Sequence, residues 1–346
     1  QTGMVLLSLP IVYGLSSSGC DSPIPPPDLG SLVSSSFISE GYNRTYDVFF
    51  PESYQNGENP LPLVFSFHGW GGTSLEDACD SGLSAVANST QEFIVVHLQG
   101  LQDYPHGNPD NWGAWHFNGS TSNGGVSCNA RSKYCYTSND NCTACDWTDG
   151  ADDVAFVSQL LDFFESSYCV DSSRLYATGM SNGGMMTYQV GASLSDRLAA
   201  IAPVAGSSHY QHLVPPLHYI PVMDIHGIYD TTVPANSTTD DGITSDGTWL
   251  YNANDVIFDA WKTPNHCINS DVTPRQYPTE WDGYDGLYCI SECDDDSLVR
   301  CAWNGAHQYF GGISQNYMYD CDPLSLDDTY SSNGFLVWEW LKLHSL

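Results

Sequence analysis

Ser181 sits at the centre of Gly179-Met180-Ser181-Asn182-Gly183, a G-x-S-x-G run. An apolar, strand-like segment, Arg174 to Thr178, precedes it, and a helical pattern follows to about Ser193. A strand that turns sharply into a helix lifts a serine hydroxyl clear of a sheet, and flanking glycines leave room for the turn. The Asn182 backbone N–H then lies at a helix N-terminus, where the dipole favours a developing oxyanion. The chemistry this predicts is nucleophilic attack by Ser181 on an acyl carbonyl.

A serine needs a base, and the base needs an orienting acid. In a strand-turn-helix setting of this kind the chain order is serine, acid, histidine. Asp230 falls just past the strand in Pro221 to Ile228, where loops of open α/β sheets carry chemistry. Asp224 lies inside that strand and is the second choice. Among 11 histidines, His307 in Trp303-Asn304-Gly305-Ala306-His307 follows the last predicted strand and precedes the closing helix, the place a base requires. His226 ends a strand beside a glycine and reads as a packing residue. His209 and His212 can line a cleft but precede Asp230. A Ser-Lys dyad is disfavoured, because the lysines are Lys133, Lys262 and Lys342 alone. A second oxyanion donor is expected from the loop His68-Gly69-Trp70-Gly71-Gly72, through the Trp70 backbone N–H.

Positioning these groups requires a sheet. Leu61 to Phe67 and Phe93 to Leu98 are short apolar runs bounded by loop residues, hence buried strands. Thr45 to Phe50, Arg174 to Thr178, Leu198 to Val204, Pro221 to Ile228 and Leu298 to Trp303 also read as strands. Helical spacing marks residues 151 to 167, 182 to 193, 247 to 262 and 334 to 343. Apolar strands alternating with helices predict a mainly parallel sheet with helices on both faces. We expect an N-terminal segment over 1–30, proline-rich at its end, and one catalytic domain over 31–346. A cysteine-rich insertion is expected at about 102–150, a stretch too long and irregular for an ordinary connection.

The chain has 346 residues, with 9 basic against 41 acidic side chains and a formal charge of -32. That balance excludes a nucleic-acid partner, which needs a basic footprint, and disfavours docking on anionic lipid. Twelve cysteines and sequons at Asn43, Asn88, Asn118, Asn141 and Asn236 predict a secreted, extracellular glycoprotein with up to six disulfides. Zinc is disfavoured because Cys142-x-x-Cys145 lacks a second pair at finger spacing. Residues 4 to 18 form an apolar stretch without a basic flank, either a signal remnant or an ordinary strand. No other run approaches a membrane span.

Together these segments resemble the secreted esterase family that contains polyhydroxybutyrate depolymerases and feruloyl esterases. The resemblance is carried by LPLVFSFHGWGG, GADDVAFVSQLLDFF, VDSSRLYATGMSNGGMMTYQV, AAIAPVAGS, HGIYDTTVP and WNGAHQY. It implies an α/β-hydrolase fold, a triad of Ser181, Asp230 and His307, and oxyanion N–H groups from Trp70 and Asn182. Trp70 replaces the cysteine or glycine of many relatives. Met180 and Ala306 stand where tannase-like feruloyl esterases have cysteines, so the resemblance is to the other branch. Depolymerases of solid polyester often carry an extra binding domain; with so few residues after the last helix we expect none here, which tilts the reading toward soluble or polysaccharide-linked esters. The expected activity is therefore a serine carboxylic-ester hydrolase of feruloyl type, with a polyhydroxybutyrate-type depolymerase as the alternative. A non-catalytic binding protein on a hydrolase scaffold is the reading from another class, disfavoured because no triad member is missing. Trp112 and Trp115, among Tyr104, His106, His116 and Phe117, are candidate substrate contacts by stacking; the competing reading is that these rings pack the insertion. No cofactor or metal is required by this chemistry, calcium-ligand spacing is absent, and a monomer acting on a small or polymer-linked ester is expected.

Overall fold

The sheet begins with Leu32–Ser39 (β1), which pairs antiparallel with Tyr42–Phe49 (β2). Then follow Leu61–Phe67 (β3), the helices Ser74–Ser81 (α1) and Leu83–Thr90 (α2), and Ile94–Leu98 (β4). Asp153–Ser167 (α3), Val170–Met180 (β5), Asn182–Ser193 (α4), Ala200–Val204 (β6) and Val222–Gly227 (β7) continue the alternation. Asn254–Lys262 (α5), Arg275–Gln276 (β8), Tyr288–Ser291 (β9), Leu298–Trp303 (β10) and Ser331–Leu341 (α6) complete it. The computed structural model describes residues 14–21, 23–55, 57–102, 113–117, 121–122, 146–148, 151–209, 212–235, 241–243, 250–267, 275–276, 286–312, 321–326 and 331–346.

The strand order is β1-β2-β4-β3-β5-β6-β7-β10-β9-β8. From β4 to β10 every neighbour is parallel, and antiparallel pairs flank this centre on both sides. Alternation along each strand builds two cores. Leu63, Phe65 and Phe67 of β3 and Ile94, Val96 and Leu98 of β4 face a core completed by Phe156, Leu160 and Phe164 of α3, Met186 of α4 and Ile257 of α5. Val64 and Val95 face the other, with Leu83 and Val86 of α2 and Leu336 and Trp338 of α6. The central strands are buried on both faces, which is why they read as unbroken apolar runs. This is the mainly parallel α/β sheet with helices on both faces that the sequence predicts.

The turn preceding α1 shows why a helix starts there. Thr73 accepts from the Glu76 N–H and Glu76 accepts from the Thr73 N–H, a capping box worth about 1 kcal/mol. The sequence spells it as Thr73-x-x-Glu76, yet α1 and α2 are absent from the expected elements. β1 is missed because its alternate residues are serines at a half-exposed edge. The predicted helix from 247 starts later, since residues 250–252 form a strand.

Four disulfides join described residues: Cys20–Cys169, Cys79–Cys321, Cys267–Cys293 and Cys289–Cys301. The cluster Cys289, Cys293 and Cys301 is therefore bridged rather than a zinc cradle. Cys20–Cys169, with the Ser17 N–H donating to the Val170 carbonyl at 3.0 Å, ties the end of the early apolar stretch into β5. Most of the expected insertion, Trp112 included, lies outside the described residues.

Candidate active site

β5 ends at Met180 and α4 begins at Asn182, leaving Ser181 alone at the turn with φ 58° and ψ -120°. A positive φ at a side-chain-bearing residue is strained by about 1–3 kcal/mol and persists only where surrounding contacts over-determine it. Here the Ser181 N–H donates to the Val204 carbonyl at 2.9 Å, and the Ser181 carbonyl accepts from the Met185 N–H at 2.8 Å. Gly183 is obligatory, because a Cβ there would stand 2.0 Å from the Phe67 carbonyl oxygen.

The Ser181 Oγ lies 2.8 Å from His307 Nε2, and His307 Nδ1 lies 2.8 Å from Asp230 Oδ2. The other carboxylate oxygen of Asp230 accepts from the N–H groups of Thr232 and Val233, both at 2.9 Å. Asp230 is buried, whereas Ser181 and His307 are partly accessible. Burial pushes the Asp230 carboxyl up, but the His307 hydrogen bond and charge, His226 and the Val233 N–H together hold it below its ordinary value. The serine, histidine and aspartate named from the sequence are thus brought into one hydrogen-bonded line. Asp224, the second choice, lies buried in β7, where it accepts from Tyr188 Oη at 2.8 Å and Asn254 Nδ2 at 2.7 Å.

The loop after β3 brings Trp70 and Gly69 beside Ser181 in a cleft of about 260 Å³, lined also by His307, Thr232, Asp80 and Tyr309. His68 holds this loop from behind. Its Nε2 accepts from the Gly100 N–H at 2.9 Å, so its Nδ1 carries the hydrogen and donates to the Gly69 carbonyl at 2.7 Å. Burial lowers its pKa and keeps the ring neutral. Asn182 opens α4 next to the nucleophile, and the Trp70 side chain is 47% exposed at the cleft.

Trp115 is fully buried, not a lining of that cleft. Its ring meets Phe67 edge-on at 5.1 Å, and its indole N–H donates to the His68 carbonyl at 2.8 Å. Trp115, expected either to stack on substrate or to pack the insertion, instead packs against Phe67 and His68 behind the loop. Arg44 and Asp153 form a buried ion pair at 2.5 Å, and Asp153 also accepts from the His116 N–H, fixing the same segment.

Two features were not legible from motifs. Ser84, His97 and Asp77 form a second serine-histidine-aspartate line, at 2.8 Å and 2.6 Å. All three are buried, so Ser84 offers no surface to an ester. Asp77 also accepts from Tyr309 Oη at 2.6 Å, which anchors the chain two residues past His307. The other is His226, enclosed between Asp224 and Asp230.

No family model matches the chain. It is similar to a bifunctional acetylxylan esterase/xylanase of Neocallimastix patriciarum, 28% identical over 156 residues, covering 44% of this chain and 20% of that one. It is also similar to a probable feruloyl esterase C of Aspergillus niger, 26% identical over 243 residues, covering 68% of this chain and 69% of the relative. The chain thus spans a fifth of the first relative and about two thirds of the second. Among solved structures it shares its fold with an acetyl xylan esterase from Aspergillus awamori, with a TM-score of 0.52 at 15% identity over 81% of this chain and 95% of that one. These similarities support a carboxylic ester hydrolase with an α/β-hydrolase fold.

Proposed function

We propose that this chain is a secreted serine carboxylic-ester hydrolase working through an acyl-enzyme, with aryl or polysaccharide-linked esters of the feruloyl type as substrates. The observation that carries the reading is the hydrogen-bonded line from Ser181 through His307 to Asp230. His307 Nε2 takes the Ser181 proton as Oγ attacks the ester carbonyl, and Asp230 holds the imidazole and stabilises the charge it gains. The N–H groups of Trp70 and Asn182 receive the oxyanion. His307 then protonates the departing alcohol, and a water activated by the same ring releases the acid.

The names of the relatives support the substrate class, and so does the half-exposed indole of Trp70 beside the nucleophile. A ring of that size offers a planar acyl group a stacking face. The four disulfides support passage through an oxidising, secretory route.

The test has two arms. A fluorophosphonate should label the wild type and leave Ser181→Ala unlabelled; equal labelling of both ends the assignment. A hydrolysis panel of methyl ferulate, acetylated xylan and hydroxybutyrate oligomers should show release of ferulate. Turnover of the oligomers with none of the ferulate ester would replace the feruloyl reading with a depolymerase.

A further inference from the structure

The acid of the proposed triad has a second imidazole neighbour. His226, at the end of β7, is 4% exposed. Its Nε2 lies 2.8 Å from the Val233 carbonyl oxygen, which can only accept, so Nε2 bears a hydrogen. Its Nδ1 lies 3.1 Å from Asp224 Oδ1, while the amide nitrogen of Asn254 stands farther off at 3.5 Å. Both ring nitrogens therefore face acceptors, the arrangement of an imidazolium. A buried charge requires counter-charge, and His226 has two carboxylates: Asp224 on one side and Asp230 Oδ2, 3.7 Å from Nε2, on the other. That Asp230 oxygen is the one that accepts from His307.

We propose that His226 is a positioning residue for this reaction, standing as an imidazolium between Asp224 and Asp230 and fixing the Asp230 carboxylate toward His307. The inference rests on the esterase reading given above. Its physical content is a shared carboxylate. Asp230 Oδ2 feels His226 on one side and His307 on the other, so the first cation opposes the formation of the second. Without His226, the charge that His307 gains on taking the Ser181 proton would face no opposing cation across Asp230. Burial pulls the His226 pKa down, but the Asp224 charge and hydrogen bond, the Asp230 charge and the Val233 carbonyl outweigh it and raise the value above the ordinary one. The surroundings on other elements agree: Tyr188 of α4 donates to Asp224, and Arg300 of β10, paired in register with Asp224, balances its charge.

The experiment is the pH profile of kcat/KM on p-nitrophenyl acetate for the wild type and His226→Gln. The ascending limb of the variant should move to higher pH by about one unit, the size of effect a neighbouring charge produces. A purely structural role lowers the rate or the melting temperature without moving the limb. A folded, active variant whose limb coincides with that of the wild type overturns the proposal. If the variant does not fold, nitrogen-15 NMR of the histidine-labelled wild type at pH 7 decides. Two protonated ring nitrogens on His226 support the imidazolium, and one unprotonated nitrogen overturns it. A wild type inert on every ester would instead remove the esterase reading, an outcome the spectrum of His226 does not depend on.

Discussion

The backbone N–H of Trp115 donates to the side-chain oxygen of Asn182 at 2.8 Å, joining the segment behind the His68 loop to the residue after the nucleophile. We propose two tasks for Asn182: its own N–H receives the oxyanion, and its side chain fixes Trp115, whose indole N–H donates to the His68 carbonyl. Asn182→Ala keeps the first and loses the second. It leaves a buried N–H unpaired, at a cost of about 1–3 kcal/mol. We expect a lower urea midpoint, together with a kcat reduced by roughly tenfold through displacement of the loop, within the sensitivity of positioning effects. A midpoint equal to that of the wild type would show that Trp115 is held by other means.

Ser181 tests how much strain the elbow stores. At φ 58°, Ser181→Gly removes the steric penalty that Ser181→Ala retains. Both variants lose the nucleophile and should fall by about 10⁴-fold or more in kcat. The glycine variant should nonetheless be the more stable of the two by about 1 kcal/mol, a rise of roughly 1–2 °C in Tm. Differential scanning calorimetry of the pair reads the difference directly. Equal melting temperatures would mean that the turn is not strained by its side chain.

The parts of this architecture that were legible in the sequence are those governed by local pattern. β3 reads as Leu61 to Phe67 because both of its faces are buried, and Ser181 reads as a nucleophile because glycine spacing and the strand-to-helix change coincide there. Asp230 and His307 follow from chain order and strand ends. β1 was not legible, because Ser34, Ser35 and Ser36 hide an edge strand whose pairing is with β2 rather than with an apolar neighbour. The proposed role of His226 is not legible either. Its meaning depends on Val233 and Asp224 converging on one ring, and no spacing rule encodes that. Trp115 shows the opposite limit: an aromatic residue near a cleft in sequence is equally suited to lining it or to supporting it, and only burial separates the two.

Asp80 lines the cleft and should give stability a pH dependence of its own. Burial, with the charges of Asp77 and Glu76, raises its pKa from 3.8 to about 7. Between those values the folded protein holds a proton that the unfolded chain has released, so stability falls as pH rises through that window. Below it both states are protonated, and the full contribution is present. Asp80→Asn cannot ionise and escapes the loss. Thermal melts at pH 5 and pH 8 should show the variant gaining on the wild type as pH rises, with the gap levelling off above about pH 7. A gap independent of pH would mean that Asp80 is ionised throughout.

Tyr309 links the buried Ser84–His97–Asp77 line to the segment that carries His307, through its hydroxyl on Asp77 Oδ1 at 2.6 Å. Burial pushes the Asp77 carboxyl up, but the His97 hydrogen bond and charge, with contributions from Ser66 and Tyr309, hold it below its ordinary value. Tyr309→Phe preserves the ring, which packs at 5% exposure in the second core, and removes only the donor. The uncompensated carboxylate oxygen should cost about 1–3 kcal/mol in a urea titration. Because a carboxyl with a depressed pKa stabilises the fold above its unfolded value of 3.8, that stabilisation fades as pH falls through the folded value. Losing the Tyr309 hydroxyl should therefore destabilise the protein more at pH 7 than at pH 3. The same loosening should reach His307, two residues away, as a lower kcat with KM little changed. A variant that loses stability but keeps kcat would confine Tyr309 to the core.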